Sequence, residues 1–193
     1  MKKIILGGTL GGLVLFVWSA IAHMPPIGTA GERIVASSNE PAVLKALSDS
    51  MTERALYMVP GLDPKRPAAE QQAWSVRYEH GPAAVVAFSP RPADRAWAGS
   101  SFATFFIVEF LGAILVGLLG ATIGISLSGT LGFWPRALVL AMVGVISTID
   151  IDGSYWNWYG FPTSFFLAQC VDHVGGWFLA GLVIAGVCRP VRP

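Results

Sequence analysis

Residues 101–127 read SFATFFIVEFLGAILVGLLGATIGISL, a run of 27 residues with one charged side chain, Glu109. Wound as a helix at about 1.5 Å per residue, such a run is long enough to cross the roughly 30 Å hydrocarbon core of a bilayer. Three other runs share its character: Ile4–His23, Phe133–Ile151 and Pro162–Val187. Only 13% of the 193 residues are charged and 53% are hydrophobic, whereas soluble domains carry about a quarter charged residues. The prediction is an all-α membrane protein with four transmembrane helices and a small extracytoplasmic α+β cap. Residues 1–23 form the first helix, 24–100 the cap, and 101–193 a three-helix region (101–127, 133–151 and 162–187).

The first run follows Lys2 and Lys3 and ends in Ala20-Ile21-Ala22, which is also the pattern of a cleavable signal peptide. Its apolar stretch exceeds a usual signal core, so it is expected to remain as an uncleaved anchor. Outside the cap the bases are Lys2, Lys3, Arg136, Arg189 and Arg192. All five fall at cytoplasmic ends if the N-terminus is cytoplasmic, and the connection from Asp150 to Phe161 then lies outside without a base. The positive-inside rule therefore predicts a multi-pass protein of a bacterial inner membrane, with both termini cytoplasmic and residues 24–100 periplasmic. Trp97, Trp156 and Trp158 would then mark the outer interface and Trp134 the inner one.

Within the cap, Ser38-Asn39-Glu40-Pro41 opens a helical pattern through Val43, Leu44, Leu47 and Met51. Pro67 opens a second helix, AAEQQAWSVRYEH, closed by Gly81. RALYMVPG and AAVVAF flank that helix and read as short strands. A strand, a helix and a strand suggest a right-handed crossover. A segment of this size has a thin core and is expected to lean on the helix ends or on a partner.

Ionisable groups inside a membrane are costly, so each asks for a reason. Glu109 lies about 12 Å below the outer surface, and Asp172 and His173 about 15–16 Å below it, counted along their helices. Gln169 is one turn above His173. Glu109, Gln169, Asp172 and His173 are therefore an expected intramembrane polar cluster. It is open to two readings: a structural clasp of interhelical hydrogen bonds, or a proton-carrying or ligand-binding site.

Other chemistry finds little support. Cys170 and Cys188, on one helix, would be about 27 Å apart and could not bridge. The sequence has no CxxC, HxxxH or HExxH, and no phosphate-binding loop, dinucleotide motif or Ser-His-Asp set. His23 is expected at the outer rim and His173 well below it, which disfavours bis-His haem. No metal, cofactor or catalytic residue is expected, and an enzyme is the less favoured reading. A net charge of +1 gives no reason to expect nucleic acid. Gly7 with Gly11, Gly8 with Gly12, Gly120 with Gly124, and Gly176 with Ala180 read as helix-packing faces.

Residues 154–163, SYWNWYGFPT, follow the acidic pair Asp150 and Asp152. Read as a tight outer loop, they place Tyr155, Trp156, Asn157, Trp158 and Tyr159 either as an interfacial anchor or as a docking platform for a partner or lipid. At WSAIAHM (18–24), NEPAVLKAL (39–47), LYMVPGLD (56–63) and above all YWNWYGFPTSF (155–165), the chain resembles a family of small bacterial four-span membrane proteins with a YWNWYGFP element. The resemblance implies four spans and an outer segment, and it supplies no catalytic residues.

The small-residue faces, the aromatic loop and the lack of a catalytic set lead to one expectation. The chain reads as a non-catalytic accessory or assembly subunit of a larger respiratory or photosynthetic membrane complex, with the lipid bilayer and other membrane subunits as partners. One alternative is a small oligomeric proton-coupled transporter or channel using Glu109, Asp172 and His173. Another is a quinone- or haem-linked membrane oxidoreductase.

Overall fold

The computed structural model describes residues 1–90 and 102–189. Trp97 and Arg192 therefore lie outside the described residues. The chain divides into two compact units, one of residues 1–33 with 102–193 and one of residues 34–101. The first unit thus takes in residues 24–33, which the sequence assigns to the cap. Gly31, at φ +83°, packs against Ser164 and Phe165 so closely that a Cβ there would lie 2.8 Å from the Phe165 nitrogen.

The first unit is a helical bundle. It consists of α1 (Lys2–Ala22), α4 (Phe102–Ser126), α5 (Phe133–Ser147) and α7 (Thr163–Val187), with a short α6 (Gly153–Tyr159) between the last two. A π-helical turn, Thr148–Asp152, joins α5 to α6. Four helices are long and apolar enough to cross a membrane: Lys2–Ala22, Ala103–Ser126, Phe133–Tyr159 and Thr163–Val187. The third differs from expectation. It does not stop at Ile151 but continues as helix through the aromatic stretch to Tyr159, where Gly160 ends it in the left-handed conformation (φ 68°). Tyr, Trp and Asn tolerate a helix. The one residue of the stretch that ends it is the glycine after Tyr159.

α1 contacts both α4 and α7, while α5 packs on α7. The two overlapping glycine pairs of α1 explain how one helix serves two neighbours. Consecutive helical positions differ by about 100°. Gly8 and Gly12 therefore meet α4, and Gly7 and Gly11 meet α7. A Cβ on Gly12 would lie 2.6 Å from the Ala113 carbonyl oxygen, and one on Gly117 would lie 2.3 Å from that of Gly8. The backbones touch, which is how helices gain contact where no hydrophobic effect drives them together. α4 and α7 meet at Gly120 and Gly124, which face Trp177 and Ile184. Towards the His23 end of α1, a cleft separates them.

The opposite end of the bundle is closed by Arg136, which is 2% exposed. The positive-inside reading treats it as a loop charge. In the structure its guanidinium instead donates to the carbonyls of Gly132 (3.3 Å), Gly124 (3.5 Å), Ala185 (3.0 Å) and Cys188. The last turns of α4 and α7 leave carbonyls without helical partners and carry partial negative charge, and a cation placed there satisfies both. Lys3 Nζ donates to the Arg189 carbonyl (2.6 Å), so three of the five bundle bases share one end.

The second unit contains α2 (Glu40–Ser50), β1 (Ala55–Val59), α3 (Ala68–His80) and β2 (Ala84–Phe88). The two strands pair antiparallel, with Ala55 opposite Phe88 and Val59 opposite Ala84, so the expected crossover of parallel strands is not formed. Parallel pairs are found buried on both faces, and a unit this small cannot cover two faces; an antiparallel pair tolerates one face in water.

Candidate functional site

A cleft of about 420 Å³ lies between α1, α4 and α7, in the first unit. α1 supplies Leu15, Trp18 and Ser19, followed by His23 just past its end; α4 supplies Glu109, Gly112, Ala113 and Val116; α7 supplies Gln169, Asp172, His173, Gly176 and Trp177. The four residues of the predicted polar cluster, Glu109, Gln169, Asp172 and His173, thus line one cavity. A Cβ added to Gly112 would meet nothing within 4 Å, so the α4 wall faces open space.

Asp172 is 8% exposed. Its carboxylate lies 3.8 Å from His23 Nδ1, and its side chain makes no hydrogen bond to a described residue. The same His23 nitrogen is 2.8 Å from the Ser19 carbonyl, which turns the ring back over the end of α1. The Trp18 indole donates to the Asp172 backbone carbonyl at 2.9 Å and packs against Gly175 and Gly176. These contacts fix α1 against α7 at the level of the acid.

The expected depth of His23 is corrected by this arrangement. It is not separated from the Asp172–His173 pair but stands over the same cavity. The continued third helix explains why. Eight further residues carry it about 12 Å beyond Ile151. α7 therefore starts beyond the level of Ile151 along the third helix, and its tenth and eleventh residues come level with the end of α1.

Asp150 and Asp152 do not act as a pair. Two residues apart on a helix, they point in nearly opposite directions. Asp150 is exposed, whereas Asp152 is buried, with its Oδ2 3.0 Å from His173 Nδ1. The two atoms are out of line for a hydrogen bond, and neither has another hydrogen-bond partner among the described residues. The π turn is what directs Asp152 inward. Gly144 and Thr148 face α7 at a spacing of four residues, which overshoots an α-turn by about 40° each time. The wider turn of residues 148–152 takes back that drift and returns Asp152 to the buried stripe. Four titratable groups thus run across α7 in the order His23, Asp172, His173 and Asp152.

Glu109 stands apart from this chain. It is exposed on α4, lines the cleft, and no hydrogen bond or ion pair joins it to a described residue. The structural clasp through Glu109 is therefore not formed in the single chain. No group of three or more His, Cys, Asp or Glu side chains among the described residues is arranged to hold a metal ion.

The aromatic stretch lies on α6. Trp156 donates to Thr163 Oγ1 (3.1 Å) and stacks on Phe166, and Tyr155 packs against Phe161. Asn157, Trp158 and Tyr159 are exposed, Trp158 by 73%. Compared with known proteins, the chain matches no family model, no curated protein and no solved structure.

Proposed function

We propose that this chain is a small proton-conducting transport protein of the membrane, with the cleft between α1, α4 and α7 as the site that carries the proton. One observation supports the reading above the rest. Two carboxyl groups, Glu109 and Asp172, line the cleft with the imidazoles of His23 and His173, a third, Asp152, lies 3.0 Å from His173 Nδ1, and no Lys or Arg is among the described residues lining the cleft. Even with both imidazoles charged, one of the three carboxyls has no balancing charge among the described residues of the site. An uncompensated charge is too costly to keep at this depth, so it must be met by a proton or by a cation from outside the chain. Glu109, which has no hydrogen-bond or ion-pair partner among the described residues, is the group to meet it. The chain of acids and imidazoles leading from His23 to Asp152 offers alternate positions for the proton.

The test is reconstitution in vesicles with a trapped pH dye and an imposed pH gradient. Wild-type protein should dissipate the gradient faster than empty vesicles, and Glu109→Gln should fall to the empty-vesicle rate. Equal rates for wild type and Glu109→Gln would remove the proposal. A second reading, an accessory subunit of a larger complex, is favoured by the exposed aromatic face of α6. Mild-detergent extraction from native membranes should then yield a larger particle of defined composition, and Trp158→Ala should release the chain from it.

A further inference from the structure

We infer that the cleft also takes a small lipophilic organic cation in the place of the proton; this rests on the reading of Glu109 and Asp172 just given. Three independent features lead to that ligand class. First, the charge of the lining is one-sided. Glu109 and Asp172 both line the cavity, Asp172 is nine-tenths buried, its carboxylate lies 3.8 Å from His23 Nδ1 and accepts no hydrogen bond from a described residue, and no Lys or Arg is among the described lining residues. Arg136, the buried Arg among the described residues of the bundle, is committed to helix-end carbonyls at the far end. Second, the otherwise apolar and small-residue wall carries two indoles. Trp18 and Trp177 line the same cavity, and indole faces attract cations, more so away from water. Third, the size fits: about 420 Å³ falls within the roughly 300–1,000 Å³ of small-molecule sites. The open space at Gly112 shows that the α4 wall leaves room beside Glu109.

A metal cation would need three or more converging ligands, and no such group is arranged among the described residues. An anion would meet the uncompensated carboxylate of Glu109. A neutral ligand would leave the charge of Glu109 unanswered. An organic cation with an apolar surface satisfies both the carboxylates and the indoles, and can reach the site from the lipid.

The probe is tetraphenylphosphonium, and the readout is equilibrium dialysis against the full-length protein in mild detergent, with no pH gradient. Binding should saturate at one site per cleft, weaken as protons compete at lower pH, and fall by about tenfold or more in Glu109→Gln. Gly112→Leu, which fills the cavity and keeps the carboxylate, should weaken it similarly. Tetraphenylborate, the anion of the same shape, should show no saturable binding. If tetraphenylphosphonium fails to saturate, if Glu109→Gln binds it as tightly as wild type, or if the borate binds equally well, the inference is overturned. The two proposals fail separately. Proton flux without cation binding removes this inference alone, and saturable cation binding without proton flux removes the conduction reading and leaves the cation site.

Discussion

Arg136 shows how one residue can join the ends of two helices. Its guanidinium reaches carbonyls at the ends of both α4 and α7, and each of those carbonyls would be buried without a partner if it were removed. Arg136→Met keeps much of the stem and removes the donors. It should lower stability by on the order of 3 kcal/mol, read as a reduced midpoint in thermal unfolding in detergent. Arg136→Lys should recover only part of the loss, because an ammonium cannot span carbonyls on two helices as a planar fork does. A Lys variant as stable as wild type would show that charge at the helix ends, not the fork, is what matters.

Asp152 and His173 pose a different question at the same scale. The enclosed atoms Asp152 Oδ2 and His173 Nδ1 lie 3.0 Å apart, and neither has a hydrogen-bond partner among the described residues. A pair this close should be strongly coupled. A double-mutant cycle of Asp152→Ala and His173→Ala should give an interaction energy of about 1–3 kcal/mol. Additive effects would mean that the two side chains are neighbours by packing alone.

At the scale of elements, the seam of α1 with α4 and the cleft wall opposite it make contrary predictions for the same residue type. Gly12 is in backbone contact with Ala113, whereas Gly112 faces open space. Gly12→Leu should separate the helices and cost about 3 kcal/mol. Gly112→Ala should be neutral, or stabilising by up to about 1 kcal/mol through helix propensity. Chemical denaturation of the two variants side by side checks this, and equal losses would show that both glycines are needed for the same reason. The α1 seam was legible before the structure, because overlapping small-residue pairs leave few alternatives. The four apolar runs were legible for the same kind of reason: length and composition constrain them directly. The π turn was not. Thr148–Asp152 carries no residue that marks it, and the aromatics after it suit both an interfacial loop and a helix end. That single difference moved α7 outward, joined His23 to the cleft and separated Asp150 from Asp152. Arg136 was hidden by a different ambiguity: a base next to an apolar run fits a charged loop and a buried helix cap equally well until the partner carbonyls are known.

At the scale of the molecule, the two units differ in how they could be held together. The bundle has a buried centre of Ala121, Leu140, Ile184 and Cys188, and carbonyl caps at one end. The described residues of the unit 34–101 form no such centre. Among its described residues Met51 alone is buried, and neither α2 nor α3 buries a side chain fully. Leu44, Leu56, Leu62 and Val76 are all more than half exposed. A segment of this length buries too small a fraction of its surface to offset the conformational entropy of ordering it. Tyr57 with Phe88 and Trp74 with Tyr78 add ring contacts, but each pair contributes only about 1 kcal/mol. Residues 34–101 expressed alone should therefore show helical far-ultraviolet dichroism without a cooperative thermal transition, and should bind hydrophobic dyes. A sharp, reversible melt of the fragment would mean that its two helices and paired strands are sufficient by themselves, and that its exposed leucines need no cover.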